Sequence, residues 1–219
     1  RHELRERLAD PITMRHLKSI GIGKRWKCLD VAAGSGSVAV WLAGQVGSQG
    51  VVVATDIDTR FLSKLSVPNI EVRQHDITQH AFEPGGYDLV HCRALLMHLD
   101  APERALDRMV AALKPGGWLL VEDADFGSVG AADLRHPAAE HFNRLIRVMT
   151  EAWRAARILD PYFGRRVRGL AETSGLINIR HEGTTWISRG GEDGARFLNM
   201  TTRILPAALC AAGFTEAHI

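Results

Sequence analysis

Apolar and polar positions along this chain fall into short blocks that switch between two periods. Five runs, "CLDVA" (28–32), "VVVATD" (51–56), "IEVRQHD" (70–76), "YDLVHC" (87–92) and "GWLLVED" (117–123), are short, largely apolar and rich in β-branched residues, and each predicts a strand. Between them, 37–46, 58–65 and 102–113 carry apolar residues at helical spacing, the last opened by Ala101-Pro102-Glu103. Strands separated by helices of this length predict right-handed βαβ units, hence an α/β chain with a doubly wound, mostly parallel sheet. Residues 1–20 predict two short helices broken at Asp10-Pro11, and Gly21 to Lys24 a loop.

Beyond Asp123 the pattern changes. A loop leads to a helix from Ala138 to about Ile158, with Phe142, Leu145, Ile146, Met149, Trp153 and Ala156 on one stripe. Such a stripe suits a core or the underside of a lid. Asp160-Pro161 restarts a helix through Ala171, "LINIRHEGTTWIS" (176–188) predicts a sixth strand, and "DGARFLNMTTRILPAALCAAG" is helical, interrupted by Pro206. One domain over 1–219 is therefore expected: an N-terminal helical cap (1–20), a core (27–123), a helical insert (124–174) and a C-terminal part (176–219).

Composition narrows the class. The chain has 219 residues with 27 basic against 25 acidic, so nothing global calls for nucleic acid or an anionic membrane. Its three cysteines, Cys28, Cys92 and Cys210, form no C-x-x-C pair, and no apolar run approaches 18 residues. A soluble, reduced, cytoplasmic protein is the expectation. The arginines of 144–168 predict a solvated helix face, with binding of an acidic acceptor as the alternative.

Candidate chemistry gathers at one rim. In a doubly wound sheet ligands sit beyond the carboxyl ends of the strands, where Asp30, Asp56, Asp76 and the Glu122-Asp123 pair all fall. Gly34-x-Gly36-x-x-Ala39 fits a dinucleotide fingerprint, and Asp56, about twenty residues on, fits a ribose. Asp30 argues against a dinucleotide, because its carboxylate would repel a pyrophosphate and attract a sulfonium or an ammonium. Asp76-Ile77 can accept from an exocyclic amine and pack on an adenine. Three acids without a phosphate-binding lysine describe a cationic ligand that carries no phosphate, which is S-adenosylmethionine. Taken singly, Asp30 can also be a helix cap and the glycines a tight turn.

The stretches "CLDVAAGSGSVA", "VVVATDID", "VRQHDIT", "YDLVHCRALLMHL" and "LKPGGWLLVED", in this order over about Lys27 to Asp123, resemble class I S-adenosylmethionine-dependent methyltransferases of the bacterial methyltransferase-domain group. The resemblance implies a Rossmann-like sheet with N-terminal helices and a helical lid after the fifth strand. It also implies a small-molecule acceptor, with secondary metabolism one setting. Carried over, it assigns Asp30, Ala32, Ala33, Gly34 and Ser35 to the methionine end, and Asp56 and Ile57 to the ribose and adenine. Asp76 and Ile77 go to the adenine amine and ring edge, and His91 with Cys92 to the wall beneath the sulfonium. Where the family has its first loop glycine this chain has Ala32, so the loop is expected to avoid a left-handed conformation there.

Methyl transfer is an in-line displacement at an activated carbon, so positioning can supply much of the rate. For a hydroxyl or carbon acid a base helps, and His91, His136 and His141 are the candidates, with Glu122 and Asp123 able to orient the acceptor. His98 is expected to be structural, and "EDAD" is too poor for a metal site. The alternatives are an NAD(P)-dependent oxidoreductase and a cofactor-binding subunit without activity; a homodimer is a further expectation. The family's sheet carries a seventh strand between the fifth and sixth. No remaining segment here fits it, "FTEAHI" being too short and polar, so the natural chain is expected to continue past Ile219.

Overall fold

The computed structural model describes residues 2–204 and 206–215. Strands β1 (Lys27–Val31), β2 (Val51–Asp56), β3 (Ile70–Gln74), β4 (Tyr87–Arg93) and β5 (Leu113–Glu122) form one sheet in the order β3-β2-β1-β4-β5, with every pairing parallel. The order reverses between β1 and β4. There Asp30 stands opposite His91 in register, which puts two ionisable residues at the switch point.

Alternation along the strands divides the core into two layers. Cys28, Val52, Ala54 and Leu89 face helix α2 (Ser37–Val46) and the fully buried Leu17 of helix α1 (His2–Ile20). Leu29, Val31, Val53, Val90 and Cys92 face helix α3 (Pro102–Ala112) and helix α4 (Ala139–Ala155). Each fully buried leucine on these faces contributes about 1.5–3 kcal/mol of transfer free energy. Strands covered on both faces read as continuous apolar runs, which is why β1, β2 and β4 lie within a residue or two of their predicted bounds.

Four expectations are corrected here. Pro11 does not break the N-terminal helix: α1 runs unbroken through it, with Pro11 exposed. An interior proline costs about 3 kcal/mol, but α1 is held on both sides of it. Glu6 accepts from Ser35, Asp10 pairs with Arg93, Thr13 donates to Glu122 and Leu17 is buried. The helix expected over 58–65 shrinks to one 3-10 turn, Leu62–Lys64, because Asp58 turns the chain with its carboxylate on the Arg60 amide (3.1 Å). The helix expected from Asp160-Pro161 is a 3-10 turn, Phe163–Arg166, followed by α5 (Val167–Thr173).

The fourth correction is the sixth strand. Residues 176–188 form no strand among the described residues, and Ile177 and Ile187 are 83% and 84% exposed. Period-two patterning makes a ladder only where a neighbour offers free amides and carbonyls. This segment lies across a cleft from β5 instead, tied to α1 by the Arg15–Glu182 pair. Helix α6 (Asp193–Thr202) then packs on α1, where Arg7 meets Asp193 at 2.7 Å, and α7 (Pro206–Ala211) follows. Of the C-terminal hexapeptide, residues 216–219 lie outside the described residues.

The apolar stripe of α4 is core: Leu145, Ile146, Met149 and Trp153 are all buried against the β4 side of the sheet. Its first two turns reach the cleft, at Ala139, Phe142 and Leu145. Residues 161–164 are stitched to the chain leaving β5 by Phe126 N–H to the Pro161 carbonyl (2.7 Å) and Gly164 N–H to the Ala124 carbonyl (3.0 Å). Gly164 sits so close that a Cβ there would stand 2.7 Å from the Asp123 carbonyl oxygen.

Candidate active site

The loop after β1 makes a cradle at the switch point. Ala32, Gly34 and Gly36 have φ of 55°, 63° and 86°, so the backbone turns left-handed three times in five residues. The expectation that Ala32 avoids this region is overturned. An alanine there costs about 1–2 kcal/mol, and the Ala33 amide, held on the Thr55 carbonyl at 2.9 Å, is one of the contacts that keeps the turn. Any side chain at Gly36 would strain its left-handed backbone and displace the leucines beside it, since a Cβ would meet Leu65 Cδ1 at 2.6 Å and Leu62 Cδ2 at 2.9 Å.

Asp56 ends β2 and braces this loop. One carboxylate oxygen accepts from Gly34 N–H (2.9 Å), the other from Asp58 N–H (3.0 Å). Beside it Ile57 is 68% exposed, an apolar side chain on a polar rim. Asp76 follows the end of β3, with Oδ1 accepting from the Thr78 amide (2.8 Å) and hydroxyl (2.7 Å), bonds that hold its carboxyl below the usual range. Ile77 is buried in the core, its carbonyl held by Arg108.

His91 is buried between two acids. Its Nδ1 lies 2.7 Å from Asp30 Oδ1 and its Nε2 3.4 Å from Glu122 Oε2. Burial opposes charge on the ring, but the Asp30 carboxylate, its hydrogen bond and then Glu122 outweigh this and lift the imidazole to about 9. Both nitrogens are therefore committed, and the ring has no lone pair for a general base. Cys92 points the other way, into the layer under α3 and α4, so only its backbone borders the rim. Burial raises its thiol well above the ordinary value. Asp30 Oδ2 is buried with no hydrogen-bond partner among the described residues.

A cleft of about 2580 Å³ adjoins this rim on the β5 side. Ile12, Met97, Phe126, Val129 and Phe142 make it largely apolar, and Glu122 and Asp123 also line it. Asp123 is pushed up to about 7 by burial, against the amides of Met97 and Leu96 that its oxygens accept from. Residues 29–121 match the family profile described as "Methyltransferase domain". Over this span the chain carries a methyltransferase domain.

Relatives of the methyltransferase domain agree. The chain is 32% identical to "Methyltransferase str3" of Strobilurus tenacellus over 165 residues, 74% of this chain and 57% of that protein. It is 36% identical to the "Ubiquinone/menaquinone biosynthesis C-methyltransferase UbiE" of Francisella philomiragia over 109 residues, 46% of this chain and 44% of that one. The chain thus spans about half the length of these curated relatives. Among solved structures, a SAM-dependent methyltransferase from Aquifex aeolicus superposes with a TM-score of 0.56 at 21% identity, covering 78% of this chain and 81% of that one. The phosphoethanolamine N-methyltransferase 2 of Haemonchus contortus gives 0.57 at 20%, covering 92% and 44%. These two likenesses show the fold.

The domain's residues fit the cofactor on a structural test. A buried carboxylate oxygen without a partner, Asp30 Oδ2, is an acceptor awaiting a donor or a cation. An exposed isoleucine beside the Asp56 carboxylate suits a flat apolar ring. Of the other candidate bases, His136 is exposed on the cleft wall, where its Nδ1 accepts from Ala138 N–H at 3.2 Å. His141 is not brought to the site: it lies outside the cleft lining, edge-on to Phe214 at 5.0 Å. His98 Nδ1 bonds the Ile158 carbonyl at 3.1 Å, a structural contact.

Sequence reasoning missed the contribution of α1. Glu6, Asp10 and Thr13 reach Ser35, Arg93 and Glu122 respectively. Their spacing puts them on one helix face with Leu17, a signal present in the sequence but interrupted by Pro11. No described helix is long and apolar enough to cross a membrane.

Proposed function

We propose that the chain transfers a methyl group from S-adenosylmethionine to a small acceptor with a largely apolar body, bound in the cleft beside β5. The unpartnered Asp30 oxygen at the switch point, joined through His91 to Glu122 in the cleft lining, is the observation that carries this proposal. Asp30 and the loop Ala32–Ser35 hold the methionine end, Asp56 the ribose hydroxyls, Ile57 the adenine face, and Asp76 with the backbone at Ile77 the adenine edge. When bound, the sulfonium supplies an activated methyl carbon. The chain supplies alignment and a wall of Ile12, Met97 and Phe126 that excludes water. Asp123, held near neutrality, can orient an acceptor O–H or N–H or take its proton, and His136 stands second for that role.

Methyl-labelled S-adenosylmethionine, mixed with the protein and a panel of apolar phenols, enolisable ketones and amines, is expected to pass label to an acceptor. S-adenosylhomocysteine should form one for one. Tight S-adenosylhomocysteine binding with no transfer across the panel would contradict an enzyme and favour a cofactor-binding subunit.

A further inference from the structure

Under the rim lies a polar cluster that joins three strands to the N-terminal helix. Asp30, His91 and Glu122 come from adjacent parallel strands and, by alternation, share the face that α1 and α2 cover. The His91 and Asp30 side chains are each 2% exposed. A ring with a carboxylate oxygen at both nitrogens satisfies both only by donating from both. Beyond it, Glu122 Oε2 accepts from Thr13 Oγ1 of α1 at 2.6 Å, and Arg93 Nη1 donates to Thr13 Oγ1 at 2.8 Å. Arg93 Nη2 closes the chain on Asp10 of α1 at 2.7 Å.

The groups facing His91 are thus Asp30 from β1 and Glu122 from β5; Arg93 on its own strand and Asp10 on α1 follow in turn beyond Thr13. Asp123 is turned away, onto the amides of Leu96 and Met97. Two cations stand against three carboxylates in this chain of contacts, leaving one negative charge over, and the Asp30 oxygen without a partner lies at its inner end.

We propose, resting on the cofactor assignment above, that His91 is a positioning residue. Its ring fixes the Asp30 carboxylate for the cationic end of the cofactor and, through Glu122 and Thr13, makes that placement depend on α1 lying across the rim. The ring touches neither acceptor nor methyl group; it acts through Asp30. Replaced by a neutral side chain, it no longer separates the Asp30 and Glu122 charges, and the repulsion between them favours proton uptake by the pair. Cofactor binding then becomes sensitive to pH where the wild type is not.

Nitrogen-15 NMR of the unliganded wild-type protein tests the ring directly, and both His91 nitrogens are expected to carry protons at about pH 7.5. S-adenosylhomocysteine affinity is expected to stay level between about pH 6 and 8 in the wild type, and to fall about tenfold toward pH 6 in His91→Gln. Thr13→Val is expected to weaken binding about three- to tenfold, and Thr13→Ser to restore it. A singly protonated His91 ring, a level pH profile in His91→Gln, or wild-type affinity in Thr13→Val would overturn the proposal while leaving the cofactor assignment intact. A wild type that binds no S-adenosylhomocysteine would overturn that assignment, and the proposal with it.

Discussion

Replacing Asp56 with alanine is expected to weaken S-adenosylhomocysteine binding by about 2–4 kcal/mol, because charge-assisted hydrogen bonds to the ribose are lost. The structure adds a second route to the same loss. Asp56 holds Gly34 N–H at 2.9 Å and Asp58 N–H at 3.0 Å, so the carboxylate also keeps the left-handed loop in shape before any ligand arrives. Asp56→Asn keeps one acceptor oxygen and is expected to lose less. Isothermal titration of the three proteins measures this directly. Equal affinity in wild type and Asp56→Ala would put the ribose elsewhere.

The second large effect is on stability against pH. His91 is lifted from 6.5 to about 9 in the folded chain, so the folded state binds its proton more tightly than the unfolded state. The contribution is complete below pH 6.5 and lost as pH rises through about 9, and it amounts to about 3 kcal/mol. Asp123, raised from 3.8 to about 7 by burial, works in the same direction over a lower window: ionising its carboxyl costs stability as pH rises from about 4 to 7. Glu122 works the other way. Burial raises its carboxyl, but the His91 hydrogen bond and charge bring it below 4.5, so its contribution is lost only as pH falls through that lowered value. Urea unfolding is therefore expected to show a midpoint that declines from pH 6 to pH 9, with a shallower decline in His91→Gln. A midpoint constant or rising over that range would show that His91 is not held as an imidazolium.

Much of the strand rim was legible because its signals are local. Strands buried on both faces show as apolar runs, and a parallel sheet fixes which end of each run meets the ligand, so Asp30, Asp56 and Asp76 were placed on one rim from sequence alone. Some errors were also local. His91 and Cys92 are neighbours on one strand, so period-two alternation already forbids both side chains from lining the same wall. The remaining differences are tertiary. The unbroken α1 depends on Glu6, Asp10 and Thr13 finding partners on the sheet rim, contacts that local helix rules do not count. The left-handed Ala32 depends on the loop being braced by Asp56 and Thr55 from β2. Residues 176–188 alternate like a strand but no ladder forms, because alternation describes faces and says nothing of a neighbour. His141 lies at helical spacing from the cleft residues of α4 yet turns to Phe214, a partner some seventy residues away in the chain.

Calorimetry with paired ligands tests the central claim, that the rim carboxylates select a cationic adenosyl cofactor over a dinucleotide. One S-adenosylhomocysteine is expected to bind per chain with a dissociation constant on the order of micromolar, about −8 kcal/mol, and NADH is expected to give no heat of binding under the same conditions. Saturable NADH binding, or no binding of S-adenosylhomocysteine, would contradict it.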